Sequence, residues 1–300
     1  MTCAPVVLFV YNRPWHVRQT VLALQRNTLA KESDLFIFSD AAAHDGALPG
    51  VREVREYIET ITGFNSVTIV TREKNLGLSN SIISGVTDIL AERERIIVLE
   101  DDLVCAPFFL EYMNKALDLY VNEEHVISIH GYNYPVSRSL PETFFLRGAD
   151  CWGWGTWRRG WRLFERDGSR LLEGLRDQCL TKQFDFNGSY PFTRMLQKQV
   201  AGKIDSWAVR WYASAFLNDM LTLYPGKSLV RNIGNDGTGT NVGSVDFFGN
   251  SISEFSVGIQ KIPIAEDQIS RKEIERYFRS IRIKRILGRI NHYINYFVPR

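Results

Sequence analysis

Two patterns of apolar residues alternate along the first 105 residues, one typical of buried strands and one typical of amphipathic helices. Short apolar runs, rich in β-branched side chains and too short for helices, predict buried strands at 5–11, 35–39, 66–71 and 96–99. Longer runs with apolar side chains at helical spacing predict helices at 15–27, 51–62 and 79–92. Strands that alternate with helices form βαβ units, so an α/β fold with a mostly parallel central sheet flanked by helices is predicted.

The second half of the chain follows a less regular pattern. A helix rich in aromatic residues is predicted at 107–121 and a short strand at 126–130, and residues 162–222 are mostly helical by pattern. The clearest helices of that stretch are predicted at 190–201 and 206–220. No linker separates the two halves, so residues 1–269 are predicted to form one elaborated domain.

Residues 270–300 are predicted to form a basic, amphipathic C-terminal helix. They carry nine Lys or Arg against two Glu, a surplus of +7, whereas the preceding residues sum to −5. Their apolar residues recur at helical spacing: Ile274, Phe278, Ile281, Ile286, Ile290, Tyr293 and Phe297. This pattern is typical of helices that lie in the interface of an anionic membrane. The alternatives are that the helix packs against the domain or forms an oligomer. No nucleic-acid recognition motif accompanies the charge, so nucleic acid is not an expected partner.

The composition is that of an ordinary globular protein, 45% hydrophobic and 23% charged. Its four cysteines lack metal-like spacing, which argues against a zinc site or a disulfide framework. The amino terminus lacks the pattern of a signal peptide, and no apolar run is long enough to span a membrane. We therefore expect a cytoplasmic protein that its tail holds at the inner face of the membrane.

Three acids, Glu100, Asp101 and Asp102, follow directly after the fourth predicted strand. In α/β sheets, ligands bind at the carboxyl ends of the strands. Three adjacent negative charges repel one another unless a cation or hydrogen-bond donors compensate them. A divalent cation that carries a phosphorylated substrate would do so, and a solvated acidic turn is the alternative.

Several motifs together resemble those of glycosyltransferases with the GT-A fold. They are Val-Tyr-Asn-Arg-Pro at 10–14, Asp40, Arg72 with Asn-Leu-Gly-Leu at 75–78, and Leu-Glu-Asp-Asp at 99–102. The acidic motif is similar to that of the N-acetylglucosaminyltransferase I-like group, and the opening motif is similar to that of family 2 glycosyltransferases. The resemblance is best over residues 5–105 and continues more loosely to about residue 245. It implies a Rossmann-like GT-A fold in which residues 1–105 bind a nucleotide sugar and residues 106–269 form the acceptor side.

The resemblance also implies roles for the three acids. Asp102 would hold Mn²⁺ or Mg²⁺, and this cofactor would bind the diphosphate of the nucleotide sugar, which suits the oxygen ligands that these cations prefer. Asp101 would face the ribose or the donor sugar. Glu100 would face the sugar hydroxyls.

Further donor contacts are implied at the ends of the first three strands. Asn12, Arg13 and Asp40 match positions that meet the nucleobase and its ribose, and Asp40 suits the imide of uracil, which favours a UDP-sugar. A helix or turn cap is the alternative for Asp40. Arg72 would contact phosphate or else be an ordinary surface arginine. The remaining positions, which would shape the loop facing the donor, are Asn75 and Gly77.

A glycine-rich segment at 232–243 is predicted to be a flexible lid. Its backbone N–H groups would wrap the diphosphate. The histidine that many GT-A enzymes use as a further metal ligand is missing from it, so a metal contact there would come from Asp236 or water. An ordinary hairpin loop is the alternative.

An acceptor hydroxyl loses a proton during transfer, so a base is expected in the second half. Asp205 precedes a helix that carries Trp207 and Trp211, and it is similar in placement to the catalytic Asp of the N-acetylglucosaminyltransferase I-like group. The alternative is that Asp205 is only the N-cap of that helix. The runner-up bases are Asp150 and Glu165.

Four tryptophans lie among glycines and arginines at 151–161. Trp152 and Trp154 are predicted to stack on a sugar of the acceptor, and Arg158 with Arg159 to bind acceptor phosphate. The alternative is that the tryptophans belong to the core, where aromatic side chains are usually buried.

Together these features predict a metal-dependent, inverting glycosyltransferase. It would move a sugar from a nucleotide-diphosphate sugar, with a UDP-sugar favoured, to a saccharide or a lipid-linked saccharide. One alternative is a non-catalytic carbohydrate-binding protein at a membrane surface. Another is a sugar-nucleotide pyrophosphorylase, but the Gly-rich, basic opening loop of those enzymes is replaced here by Asn12-Arg13-Pro14.

Overall fold

The computed structural model describes residues 3–237 and 248–297, and in the last helix it describes side chains as far as Lys284. Its strands are β1 (Val6–Val10), β2 (Asp34–Ser39), β3 (Ser66–Thr71), β4 (Arg95–Glu100), β5 (Leu103–Cys105), β6 (Val126–His130), β7 (Thr143–Arg147), β8 (Trp154–Trp157), β9 (Leu221–Pro225) and β10 (Val230–Asn232). Its α-helices are α1 (Pro14–Gln25), α2 (Leu48–Ile58), α3 (Gly77–Glu92), α4 (Phe109–Leu119), α5 (Arg158–Trp161), α6 (Gly168–Asp177), α7 (Thr181–Phe184), α8 (Phe192–Val200), α9 (Trp207–Leu217) and α10 (Gln268–Phe297).

Eight strands form one central sheet in the order β3-β2-β1-β4-β8-β6-β9-β7. Strands β3, β2, β1 and β4 are parallel neighbours, and β9 is parallel to β6. Strand β8 runs antiparallel to β4 and β6, and β7 runs antiparallel to β9. Six strands therefore point the same way, which confirms the predicted α/β fold with a mostly parallel sheet. We call the edge at which these six strands end the carboxyl edge.

The two faces of the sheet are covered by different helices because side chains alternate along each strand. In β1, Val6 and Leu8 belong to a core that includes residues of α1 and α4. Val7 and Phe9 belong to a second core, with residues of α3 and α9. The strands are buried on both faces, which explains why their sequences are continuous apolar runs.

Four strands of the second half, β7, β8, β9 and β10, were missed by the sequence analysis. Strand β8 reads Trp-Gly-Thr-Trp, a weak strand signal, yet it lies between β4 and β6 in the middle of the sheet. The helix predicted to reach residue 220 ends at Leu217, and β9 begins at Leu221. Strand β7 is held by its pairing with β9. Tertiary contacts, not local propensity, select these strands.

The first turns of α10 pack on the domain. Ile274, Phe278 and Ile281 are at most 2% exposed, and they lie in a third core with residues such as Phe144 and Phe216. The predicted boundary after residue 269 is therefore wrong, and packing against the domain is correct for this part of the helix. The side chains of Ile286, Ile290, Tyr293 and Phe297 lie outside the described residues. Within the described residues, no helix combines the length and the apolar character needed to cross a membrane.

Candidate active site

The acidic triad lies at the carboxyl edge, where Glu100 ends β4 and Asp101 and Asp102 form the turn to β5. The loop after β1, the parallel neighbour of β4, brings Arg13 to it. The Arg13 guanidinium donates through the same nitrogen to Asp101 Oδ1 and, at 2.8 Å, to Asp102 Oδ2. The predicted donor-binding residues Arg13, Asp101 and Asp102 are therefore in direct contact, and Arg13 supplies the compensating cation that the triad requires.

Protonation also relieves the repulsion within the triad. Burial, followed by the charges of Asp102 and Asp101, raises the pKa of Glu100 to about 8. Burial raises the pKa of Asp101 to about 6, while the charge of Arg13 opposes this shift. The raised pKa of Glu100 favours its protonated form, which is able to donate a hydrogen bond.

A divalent cation fits this donor set in one specific way. The oxygens of Asp101 and Asp102 converge on one nitrogen of Arg13, so they also converge on a point where a cation is attracted. Within the described residues, no group of three or more His, Cys, Asp or Glu forms a complete metal site. Mg²⁺ commonly takes only one or two carboxylates and completes its shell with substrate phosphates and water. The triad therefore fits a cation that arrives with a phosphorylated ligand.

The start of the predicted lid is tied to the triad by backbone pairing. Strand β10 pairs antiparallel with β5, and the N–H of Ile233 donates to Asp102 O at 2.8 Å. Gly234 is buried against the site, because a Cβ there would lie 2.2 Å from Asp102 Oδ2. Asp236 contacts His16 Nε2 at 3.1 Å. Residues 238–243 of the predicted lid lie outside the described residues.

Asp40 holds a turn at the end of β2. Its carboxylate accepts from the backbone N–H groups of Leu76 and Gly77, each at 3.0 Å, and from Asn75 Nδ2 at 3.2 Å. Gly77 has a φ of +73°, which glycine adopts readily. Asp40 thus caps the start of α3, which is the alternative considered for it. Its contact with a nucleobase stays a prediction, as does that of half-buried Asn12 in the neighbouring loop.

Arg72 contacts the flank of α3. Its guanidinium donates to Ser84 Oγ at 3.0 Å and lies 3.8 Å from Asp88. Both partners lie well inside the helix, away from its first turn. These contacts favour the structural alternative for Arg72 over a contact with phosphate.

Asp205 lies at the same edge as the triad, because α9 leads into β9 and therefore begins at the carboxyl edge. The N-cap of α9 is Ser206, whose Oγ accepts from Val209 N at 3.3 Å, so the capping alternative for Asp205 is wrong. The Asp205 side chain is 60% exposed and faces Arg210 at 3.6 Å. The predicted desolvation by tryptophan is also wrong, because Trp207 is buried in the core.

Three of the four predicted acceptor residues are wrong: Trp154, Arg158 and Arg159. Trp154 is fully buried and packs against Trp161 and Trp211, so its ring is not available to a sugar. Arg158 follows the end of β8, which runs against β4, so it lies at the opposite edge from the triad. There it donates to Leu90 O at 2.6 Å. Arg159 donates to Val126 O at 2.7 Å, at the start of β6 and away from the triad. Trp152 precedes β8 at the carboxyl edge and is half-buried, so its contact with an acceptor stays a prediction.

A polar cluster that the sequence analysis missed stands beside Trp152. The backbone N–H of Trp152 donates to His130 Nε2 at 3.1 Å, and Tyr134 donates its hydroxyl to Asp150 Oδ2 at 2.8 Å. His130 is fully buried at the end of β6, 4.0 Å from Asp150 Oδ1. Its partners are distant in the sequence. The local signals were a histidine at a strand end and Asp150, which was considered only as a possible base.

The buried His130 is expected to make the protein less stable at acidic pH. Burial lowers the pKa of His130, although the charge of Asp150 opposes the shift. The pKa of His130 is lower in the folded protein than in the unfolded chain, where it is about 6.5. Protonation of His130 therefore favours the unfolded chain, so the free energy of unfolding should fall as the pH drops below about 6.5. We expect urea unfolding to show a larger loss of stability from pH 7.5 to 5.5 in the native protein than in His130→Gln. An equal loss in both proteins would contradict this assignment.

Comparisons with known proteins add distant structural similarities. No protein-family model matches the sequence, and no curated protein matches it significantly. The solved structures that are similar include the mannosyltransferase PcManGT from Pyrobaculum calidifontis in complex with GDP-Man and Mn²⁺, at 17% identity and a TM-score of 0.34, over 44% of this chain and 36% of that one. TarS from S. aureus is 13% identical with a TM-score of 0.43, over 78% of this chain and 37% of that one. A UDP-glucose pyrophosphorylase complexed with UDP-glucose is 12% identical with a TM-score of 0.31, over 54% of this chain and 79% of that one.

The matched region thus spans little more than a third of the first two structures. All three alignments combine low identity with a low TM-score. The function of this chain is therefore argued from its own residues.

Proposed function

We propose that this protein is a metal-dependent, inverting glycosyltransferase that uses a nucleotide-diphosphate sugar, with a UDP-sugar favoured, and a saccharide or lipid-linked saccharide acceptor. The observation that carries the proposal is the convergence of Asp101 and Asp102 on Arg13 at the carboxyl edge. Two carboxylates and a guanidinium at one point suit a diphosphate that arrives with a divalent cation. The motif resemblance of the sequence supports the same function.

Each group of the site has a task in this proposal. Asp102, assisted by Asp101, would hold Mn²⁺ or Mg²⁺, and when bound the cation neutralises charge on the departing diphosphate. Arg13 would move its hydrogen bonds from the carboxylates to phosphate oxygens, for which a guanidinium is well suited. Glu100, whose pKa is raised by burial and by the charges of Asp102 and Asp101, would contact a sugar hydroxyl. Asp205, exposed at the same edge, would take the proton of the acceptor hydroxyl.

The tail adds a proposal about location. After Ile281 the sequence carries Arg282, Lys284, Arg285, Arg289 and Arg300, with no acidic residue among them. We propose that this part of the chain binds anionic lipid from the cytoplasmic side, at the inner face of the membrane. Each Lys or Arg near such a surface contributes about 1 kcal/mol of attraction.

Thermal unfolding with nucleotide sugars tests the function. A panel of UDP- and GDP-sugars, each with Mn²⁺ or Mg²⁺, is compared on the native protein and on Asp102→Ala. We expect at least one donor to stabilise the native protein by about 2.7 kcal/mol at a concentration 100-fold above its Kd. The shift should disappear in Asp102→Ala and when the metal is chelated.

Asp88→Ala serves as the matched control, because Asp88 is an exposed carboxylate on α3 away from the triad. Its donor shift should equal that of the native protein. Equal shifts in the native protein and Asp102→Ala would remove Asp102 from the site. A donor that binds but is neither hydrolysed nor transferred, with any divalent metal, would favour the carbohydrate-binding alternative.

A further inference from the structure

A pocket of about 280 Å³ opens beside the triad. One wall is Trp15 in the first turn of α1, and the other is strand β10 with the segment that follows it. The residues that line the pocket are Trp15, Arg231, Asn232, Ile233, Asn235 and Asp236. Its volume lies near the lower end of the roughly 300–1,000 Å³ that is usual for small-molecule sites, which suits one sugar residue.

Trp15 is unusual among the tryptophans of this chain. It is 57% exposed, whereas each of the other six is buried or half-buried. In the same helix, Val17, Val21 and Leu24 are buried, so α1 already has a complete apolar face without Trp15. An exposed indole at the mouth of a pocket is a flat apolar surface that a ligand can cover.

The opposite wall is polar and mixed in charge. Asn232 and Asn235 contribute amides, Asp236 a carboxylate and Arg231 a guanidinium, so donors and acceptors of hydrogen bonds both line the pocket. His16 Nε2 fixes Asp236 at 3.1 Å. An anion such as phosphate would be attracted by Arg231 but repelled by Asp236, whereas a neutral ligand can form hydrogen bonds with both. A pyranose, with an apolar face and a rim of hydroxyls, matches an indole opposite amides and a carboxylate.

The pocket is joined to the proposed donor site by the backbone. Ile233 N–H donates to Asp102 O, and Asn232 pairs with Leu103. On the other wall, Trp15 follows Arg13 by two residues. We propose that this pocket is a saccharide subsite, in which Trp15 stacks on a sugar residue of the acceptor next to the donor. The proposal rests on the proposed function, which it extends by assigning a place for the acceptor.

Saturation-transfer NMR with simple glycosides tests the subsite. The probes are the methyl glycosides of glucose, galactose, mannose and N-acetylglucosamine, added to the full-length protein both without UDP and with saturating UDP and Mg²⁺. We expect at least one glycoside to bind, and its affinity to fall about tenfold in Trp15→Ala, as when an anchoring aromatic is truncated. Trp15→Phe should keep most of the affinity because it keeps an aromatic face.

Leu22→Ala is the matched control, because Leu22 is 46% exposed and lies two turns further along the same face of α1. Its glycoside affinity should equal that of the native protein. Binding that is unchanged in Trp15→Ala, absent for all four probes, or abolished by UDP would overturn the proposal, the last because the pocket would then belong to the donor.

The two proposals fail in different ways. Failure of the native protein to bind any UDP- or GDP-sugar of the panel contradicts the glycosyltransferase function, whatever the glycosides do. UDP binding that is present and equal in the native protein and Trp15→Ala, with equal glycoside binding in both, contradicts the subsite alone.

Discussion

Removal of residues 270–300 is expected to unfold most of the protein, not merely to detach it from a membrane. The deletion takes Ile274, Phe278 and Ile281 out of a core in which each is at most 2% exposed. Loss of such a side chain costs roughly 2–5 kcal/mol, and whole proteins are stable by only about 5–15 kcal/mol. The deletion also removes Arg271, which pairs with Glu266 at 2.8 Å. Urea unfolding followed by circular dichroism measures the loss.

A point substitution keeps this prediction measurable if the truncated chain does not accumulate. Phe278→Ala in the full-length protein should lose about 3–5 kcal/mol. Ile283→Ala, at a position that is 57% exposed on the same helix, should change stability by less than about 0.5 kcal/mol. Equal stability of Phe278→Ala and Ile283→Ala would show that the helix is not docked as described.

A shorter truncation separates folding from membrane binding. Removal of residues 285–300 leaves the three buried residues in place, so the fold should remain. If the tail binds anionic lipid, this truncation should release the protein from vesicles that contain phosphatidylserine. Unchanged partitioning would contradict the membrane proposal without touching the fold.

The sequence was most informative where polar residues directly follow a predicted strand. The triad was predicted at the carboxyl end of its strand. The resemblance implied a ligand contact for Arg13 after the first strand, and the structure brings Arg13 into contact with Asp101 and Asp102. The strand at Trp154 was not predictable, because it is selected by pairing with β4 and β6, far away in the sequence. The His130 and Asp150 cluster is similarly non-local.

Adjacent polar residues show a second limit of sequence reasoning. Asp and Ser are both favoured N-cap residues, so the sequence does not show whether Asp205 or Ser206 is the N-cap of the helix. The backbone conformation determines which of the two it is. Ser206 takes the cap, so the Asp205 carboxylate is left outside it. In the same way, Arg158 has suitable chemistry for phosphate, but the direction of β8 carries it to the wrong edge.

Asp205→Asn is expected to lower kcat for sugar transfer by about 10²–10⁴, the usual contribution of a general base. The amide keeps the shape of the carboxylate but does not accept the acceptor proton. Because Ser206 caps α9 and Asp205 is 60% exposed, the substitution should leave stability and donor binding unchanged. Steady-state transfer assays, with the thermal shift by UDP-sugar and metal as the binding measurement, provide the test.

Three variants isolate the role of Asp205 from its surroundings. Ser206→Ala should lose about 1 kcal/mol of stability through the missing cap while its kcat stays near that of the native protein. Asp150→Asn and Glu165→Gln test the two other carboxylates considered as bases. Full transfer by Asp205→Asn would rule it out as the base, and a collapse of kcat in Asp150→Asn alone would move that role to the carboxylate held by Tyr134. If only Asp205→Asn loses kcat, the proton leaves the acceptor at the start of α9, at the same edge of the sheet as the proposed metal ligand Asp102.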